Sequence, residues 1–171
     1  MLFALAFRVD AQAPMVPMNE RVRLEVKTET QSDRKDLEKT SVDEVTQFKT
    51  LKIELSGKPK QPETRVVKWT AYGRDMKSND VRKIDEGEFK LQLGANGRQS
   101  GESKRISTTY IPEHSAGGKG GKGGGGGGGK GGKKVEGSGA KFVGYRVEVM
   151  DGATVVGEYS DPAGIGPSKK P

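Results

Sequence analysis

The stretch FVGYRVEVMDGATVVGEYS, residues 142–160, decides how this chain is read. GYRVEV and TVVGEY are two short runs in which apolar and polar residues alternate, and Asp151-Gly152 stands between them. Asp-Gly in that position is a strong hairpin signal, because a two-residue type I′ turn needs positive φ at both central residues. The remaining apolar residues fall into runs that look built to pack around this pair.

Upstream, Val22, Leu24 and Val26 alternate with charged residues in 21–28, and Leu51, Ile53 and Leu55 do so in 49–56. That period of two marks half-buried strands. Residues 65–72 predict a third strand with Val67, Trp69 and Ala71 inward and Val66, Lys68, Thr70 and Tyr72 on the opposite face. Residues 88–93 place Phe89, Leu91 and Leu93 together, and 104–111 do the same for Ile106, Thr108 and Tyr110. Between these runs, 29–47 is polar and reads as a loop, with room for a short helix that Asp33 would cap. The charged connection 73–87 holds only a brief edge-strand candidate, 81–84.

Seven alternating runs separated by turn residues predict an all-β fold, an immunoglobulin-like antiparallel β-sandwich of about 100 folded residues. Trp69 stands where that architecture carries a large core aromatic. Tyr145 lies two residues before an inward Val147, the spacing of a tyrosine corner, with Val147 at the position antibody-like domains give to a cysteine. The bland alternative makes Trp69 and Tyr145 merely large core residues of another sheet protein. Trp69, Tyr145, Val147, Leu51, Ile53, Phe89 and Leu91 are the predicted core. Strands that alternate direction would send the first-to-second, third-to-fourth and fifth-to-sixth connections, the three long ones, to a single pole. A rigid scaffold presents its variable surface at such a place.

Residues 115–139 interrupt the pattern with glycine and spaced lysines, and predict a flexible insertion between the fifth and sixth strands, since glycine buries nothing and loses most entropy on ordering. Lys119, Lys122, Lys130, Lys133 and Lys134 lie in it; without them the formal charge of +7 falls to +2. The basicity therefore belongs to a segment, whose lysines are candidate anion contacts. Its matches to phosphate-loop templates are trivial, because no Ser or Thr follows Lys130 and no helix pattern succeeds it. No aromatic stands among the lysines to stack on single-stranded nucleic acid, so no specific nucleic acid is expected.

The chain has no cysteine and one histidine, His114. Disulfides, thiolate metal sites and a thiol nucleophile are excluded, and His114 alone is a poor basis for a metal site or a catalytic relay. The carboxylates Asp33, Asp36, Glu38, Asp43 and Glu44 are mixed with Arg34, Lys35 and Lys39, as on a solvated face. Neither cofactor nor metal is predicted, and the expectation is that the chain is not an enzyme.

No run reaches the roughly 20 apolar residues that a membrane-spanning helix needs. Leu2–Phe7 followed by Ala11-Gln12-Ala13 reads as the end of a signal peptide, truncated if Met1 is an internal start; a leader of a cytoplasmic protein is the alternative. The predicted organisation is a leader, 1–19, the sandwich, 20–162, and a flexible tail, 163–171.

KWTAYGRD, 68–75, and YRVEVMDGATVVGEYSDP, 145–162, resemble a family of exported immunoglobulin-like proteins of Verrucomicrobia encoded beside type IV pilus assembly genes. The resemblance covers about 21–162, with the glycine tract as a departure from it. It implies an exported protein, periplasmic or on the cell surface, that binds an envelope or pilus-associated protein or associates with itself, and it offers no catalytic residues. A basic adaptor that holds anionic polymer, nucleic acid or acidic glycan, through the lysine tract is the second expectation.

Overall fold

The computed structural model describes residues 16–18, 22–37, 42–59, 61–94, 97–116 and 133–166. The order is β1 (Val16–Met18), β2 (Val22–Asp36), β3 (Asp43–Gly57), β4 (Glu63–Asp75), β5 (Val81–Leu93), β6 (Arg98–Glu102), β7 (Ile106–Ile111), β8 (His114–Ala116), β9 (Lys133–Val135), β10 (Ser138–Asp151) and β11 (Thr154–Asp161). One layer runs β1-β2-β3 and then β6 and β7, which both pair with β3; the other runs β5-β4-β10-β11. All pairings are antiparallel, and the layers are linked where Ser138 and Gly139 of β10 pair with Ile111 and Tyr110 of β7. This is the immunoglobulin-like sandwich the alternating runs predict.

Between the layers lie Val22, Leu24, Val26, Leu51, Ile53, Leu55, Val67, Trp69, Ala71, Leu91, Leu93, Ile106, Val147 and Val149, all buried. Each fully buried Leu, Ile or Val contributes about 1.5–3 kcal/mol relative to exposure. Phe89 packs against this core while partly exposed, its ring filling the space that Gly101 leaves on β6. Trp69 lies likewise over its cross-strand neighbour Gly87, where a Cβ would meet the indole at 2.7 Å.

Four expectations need correction. Among the described residues of 29–47 there is no helix and almost all is strand: β2 and β3 pair without a register shift from Val22↔Gly57 to Asp36↔Asp43, a ribbon that runs past the core. Backbone pairing and cross-strand polar contacts sustain it, and neither leaves an apolar period in the sequence. Most of 73–87 is strand as well, so that connection shrinks to 76–80. Tyr72, on the face opposite Trp69 and Ala71, is nonetheless buried, outside the core cluster that fills the space between the layers. Finally, the run 104–111 is half of a longer strand that includes β6.

β6 and β7 are collinear on β3, interrupted at Ser103–Arg105. There Ser103 N–H donates to the Leu51 carbonyl at 2.9 Å, and Leu51 N–H donates to Ser103 Oγ, also at 2.9 Å. The hydroxyl thus stands in for a missing backbone carbonyl, which is how a bulge survives in a buried ladder.

The hairpin is present, with a different turn. Asp151 pairs with Thr154, so the loop residues are Gly152 and Ala153, and only Gly152 has positive φ, +57°. Glycine at the first central position is the mark of a type II′ turn. Asp151 instead anchors the turn to β4, accepting from Arg65 Nη1 at 2.7 Å while Arg65 Nη2 meets Glu63 at 2.8 Å. Gly152→Val introduces a β-branched residue at that φ with nothing within 4 Å to clash. It is expected to cost about 1–2 kcal/mol in urea denaturation, and an unchanged midpoint would refute the turn geometry.

The connections sort by pole. Gly57 at the end of β3, Glu63 at the start of β4, Gly94, Gly97 and the turn 152–153 lie at one end, the short pole. The ribbon's ends at Asp36 and Asp43, the turn 76–80, Ile111 at the end of β7 and Ser138 at the start of β10 lie together at the other. The N-terminal signal reading falls on residues 1–15 and lies outside the described residues. Val16–Met18, within the stretch read as leader, pair with Leu24, Arg23 and Val22 of β2.

Candidate binding surface at the ribbon pole

β2 and β3 alternate faces, so beyond the core the ribbon has an outer and an inner face. On the outer face Phe48 is covered by the Arg105 guanidinium, 3.7 Å from the ring centroid, and Arg105 Nη2 donates to Gln31 Oε1 at 3.2 Å. Thr46 and Thr109 hydroxyls meet at 3.0 Å beside it. Lower down, Lys52 bridges Glu29 at 2.6 Å and Glu102 at 3.7 Å across three strands. The hydrogen bond to Glu29, followed by its charge, holds the Lys52 ammonium above the usual lysine range. Aromatic, guanidinium, amide and hydroxyl groups on a pinned sheet form a surface suited to protein contact.

The inner face continues the parity of Val26, Leu51 and Ile106, but becomes mostly polar, with Thr28 and Thr30 of β2, Gln47 and Lys49 of β3 and Thr108 of β7, before the Val45–Tyr110 pair. Lys49 Nζ donates to Thr30 Oγ1 at 2.5 Å and lies 5.3 Å from the centroid of Phe142, on the opposite layer. Burial pushes its pKa down.

Tyr145 is buried beside Tyr159, ring centroids 6.0 Å apart, with its hydroxyl in hydrogen-bonding reach of Thr28 and Tyr159. Those partners are side chains, whereas a tyrosine corner bonds backbone upstream in the same loop, so Tyr145 has the spacing of a corner without its contact. Burial, first of several causes, raises both phenols above the ordinary tyrosine range.

A phenol held neutral in the fold stabilises it fully below the unfolded tyrosine pKa of about 10, and that stability drains away as pH rises beyond it. Lys49, whose charged form is disfavoured in the fold, acts in the opposite sense. Tyr145→Phe is therefore expected to flatten the alkaline fall of the urea midpoint between about pH 9 and 11. An equally steep fall in the variant would remove Tyr145 as its source.

The base of the pole is tied down. Asp75 Oδ1 accepts from the N–H groups of Ser78 and Lys77, bonds that lower its pKa, and Asn79 takes φ +64° to close the turn. Met76 N–H donates to the Gly139 carbonyl at 2.9 Å, fastening that turn to the start of β10. β8 and β9 form a separate two-stranded sheet that pairs His114 with Val135, Ser115 with Lys134 and Ala116 with Lys133.

Of the candidate anion contacts, Lys134 is ion-paired with Glu113 at 2.9 Å, Lys133 lies in β9, and Lys119, Lys122 and Lys130 are outside the described residues. His114 Nδ1 lies 3.1 Å from the Pro112 carbonyl, which occupies it locally. No group of three or more His, Asp or Glu among the described residues is arranged to hold a metal ion. No helix among them is long and apolar enough to cross a membrane.

The sequence does not declare Gln31, Phe48 and Arg105 as a surface: Gln31 falls in the stretch 29–47 that reads as a loop, and Arg105 in a strand whose alternation marks only its inward residues. One available signal was that no glycine or proline occurs from residue 18 to 56, so nothing breaks the strands before the tip. Compared with family models, curated proteins and solved structures, the chain finds no match in any of the three.

Proposed function

We propose that this chain is a noncatalytic protein-binding module of the cell envelope that works from the ribbon pole. The observation carrying this reading is the ribbon itself. β2 beyond Thr28 and β3 before Leu51 hold no fully buried side chain, yet are paired residue by residue. Ordering backbone costs about 1–2 kcal/mol per residue, and this stretch returns no core burial for it, so its order is best accounted for as a presented surface. Export, and a place beside type IV pilus assembly, are supported by the resemblance in 68–75 and 145–162. Self-association through the same surface belongs to this reading.

The test is photo-crosslinking in the producing cells from Gln31 and Thr46 on the ribbon, with Ala153 at the short pole as control. A discrete adduct with an envelope protein, or with a second copy, is expected from the ribbon positions alone. It should persist after deletion of 117–132 and in about 0.5 M salt, where screening acts over only a few Å. Absence of an adduct overturns the reading. Binding to heparin or nucleic acid that collapses with salt and with the deletion would favour the anionic-polymer adaptor.

A further inference from the structure

The ribbon leaves one edge of a sheet open. Among the described residues, 28–36 of β2 pair with β3 on one side and with nothing on the other, since β1 reaches only Val22, Arg23 and Leu24. Along that edge every second residue turns its backbone N–H and C=O away from β3, a template for another strand. Such edges are ordinarily blunted by proline, a bulge or shortness. Residues 28–36 have none of these: their register with β3 is unbroken and they include neither proline nor glycine. Charge is the one guard left, and its pattern admits a particular partner.

That partner is the same edge of a second copy. Two identical antiparallel strands are related by a two-fold axis normal to the sheet, which keeps each residue on its own face, so only residues of equal parity oppose one another. Centred on Gln31, the pairing sets Glu29 against Asp33 of the other copy; centred on Asp33 or Arg34, it sets that charge against itself. Centred on Thr30, it carries Asp36 of the second copy onto Leu24, a place taken by Val16 of β1. Centred on Ser32, it uses the whole stretch, with Glu29 facing Lys35 twice and Gln31 facing Asp33 twice. Opposite charges directly across a ladder stabilise it and like charges destabilise it, so the register centred on Ser32 is the favoured one.

We propose that the chain forms a two-fold dimer by strand addition along residues 28–36 of β2, in the register centred on Ser32. The two ribbons then make one sheet in the order β3-β2-β2-β3. Because the strands run antiparallel, the two sandwich bodies lie at opposite ends of that sheet and do not compete for space. The charges that set the register are within reach. Lys35 is exposed, Glu29 is 59% exposed, and the Glu29 bridge to Lys52 at 2.6 Å uses Oε1, which leaves Oε2 to accept from a second ammonium. The dimer deepens the protein-binding reading by naming an occupant, and rests on it for the ribbon as the contact surface.

The test is sedimentation equilibrium of the full chain, where a reversible dimer is expected. A chain still monomeric at about 0.5 mM, beyond the range of specific association, overturns the pairing. Glu29→Lys and Lys35→Glu each turn both charge pairs into like charges, and each variant alone is expected to dimerise about tenfold more weakly than the parent. Mixed in equal amounts, the two restore opposite charges at both places and are expected to form a heterodimer as tight as the parent dimer. That rescue also shows that both variants fold. A mixture as weak as its components overturns the register. The chain has no cysteine, so Ser32→Cys reports on its own copy alone. It is expected to oxidise to a linked dimer, because the axis sets the two Cβ atoms about 5 Å apart. Faster crosslinking from Thr30→Cys also overturns the register. A monomeric purified chain whose ribbon crosslinks in cells to a different protein loses the pairing and keeps the protein-binding reading. A purified dimer without any ribbon adduct in cells keeps the pairing and removes the envelope reading.

Discussion

Gly139→Val is expected to lower the melting midpoint by about 10 °C, from a loss of about 3 kcal/mol. Gly139 takes φ +80°, and a Cβ there would stand 2.2 Å from the Thr109 carbonyl oxygen and 3.0 Å from Tyr110 Cα. Both contacts are backbone, so no side-chain rotation relieves them. Relief requires β10 to withdraw from β7, and with it the Ser138–Ile111 and Gly139–Tyr110 pairs that join the two layers at the ribbon pole. Gly152→Val is the matched control, with positive φ and open space around it. The difference between the two losses in differential scanning calorimetry measures the close approach by itself. Equal losses would mean that β7 and β10 do not meet this tightly.

The second large effect concerns where the core stops. Leu51→Ala is expected to cost about 3 kcal/mol, within the range for truncating a fully buried leucine. Leu51 is 0% exposed and also sits at the Ser103 bulge, whose two hydrogen bonds hold its neighbours in place and limit collapse around the missing atoms. Lys49 is on the same face of the same strand, two residues away, and Lys49→Met is expected to cost nothing. Urea midpoints of the two variants locate the boundary. Comparable destabilisation by both would place Lys49 inside the core.

The inward sets of the short strands were legible because alternation is a local property: Val22, Leu24 and Val26, or Val67, Trp69 and Ala71, declare a buried face without reference to partners. The ribbon was not legible. Gln31 pairs with Phe48 and Thr46 with Thr109 across separations that composition does not record, and the apolar residues Val45 and Phe48 fall on opposite faces among polar neighbours, so the period of two carries no hydrophobic signal there. Arg98–Glu102 was missed for the same reason, being a polar run with an internal glycine. In the hairpin, the location of the turn was readable from Asp-Gly, but not that Asp151 pairs with Thr154 and meets Arg65 of β4, leaving Gly152 and Ala153 as the loop.

By itself the sequence determined an all-β, cysteine-free sandwich with its basic residues concentrated in a glycine tract, because strand periodicity, turn residues and charge blocks are written along the chain. Only the tertiary structure decided that the polar segment after Thr28 is a paired ribbon, that Arg105 lies on Phe48, and that Lys49, Thr108 and Gln47 share one face. Those are agreements between strands distant in sequence, set by register and by the point where apolar burial ends. The candidate site therefore lies where the local hydrophobic signal has stopped.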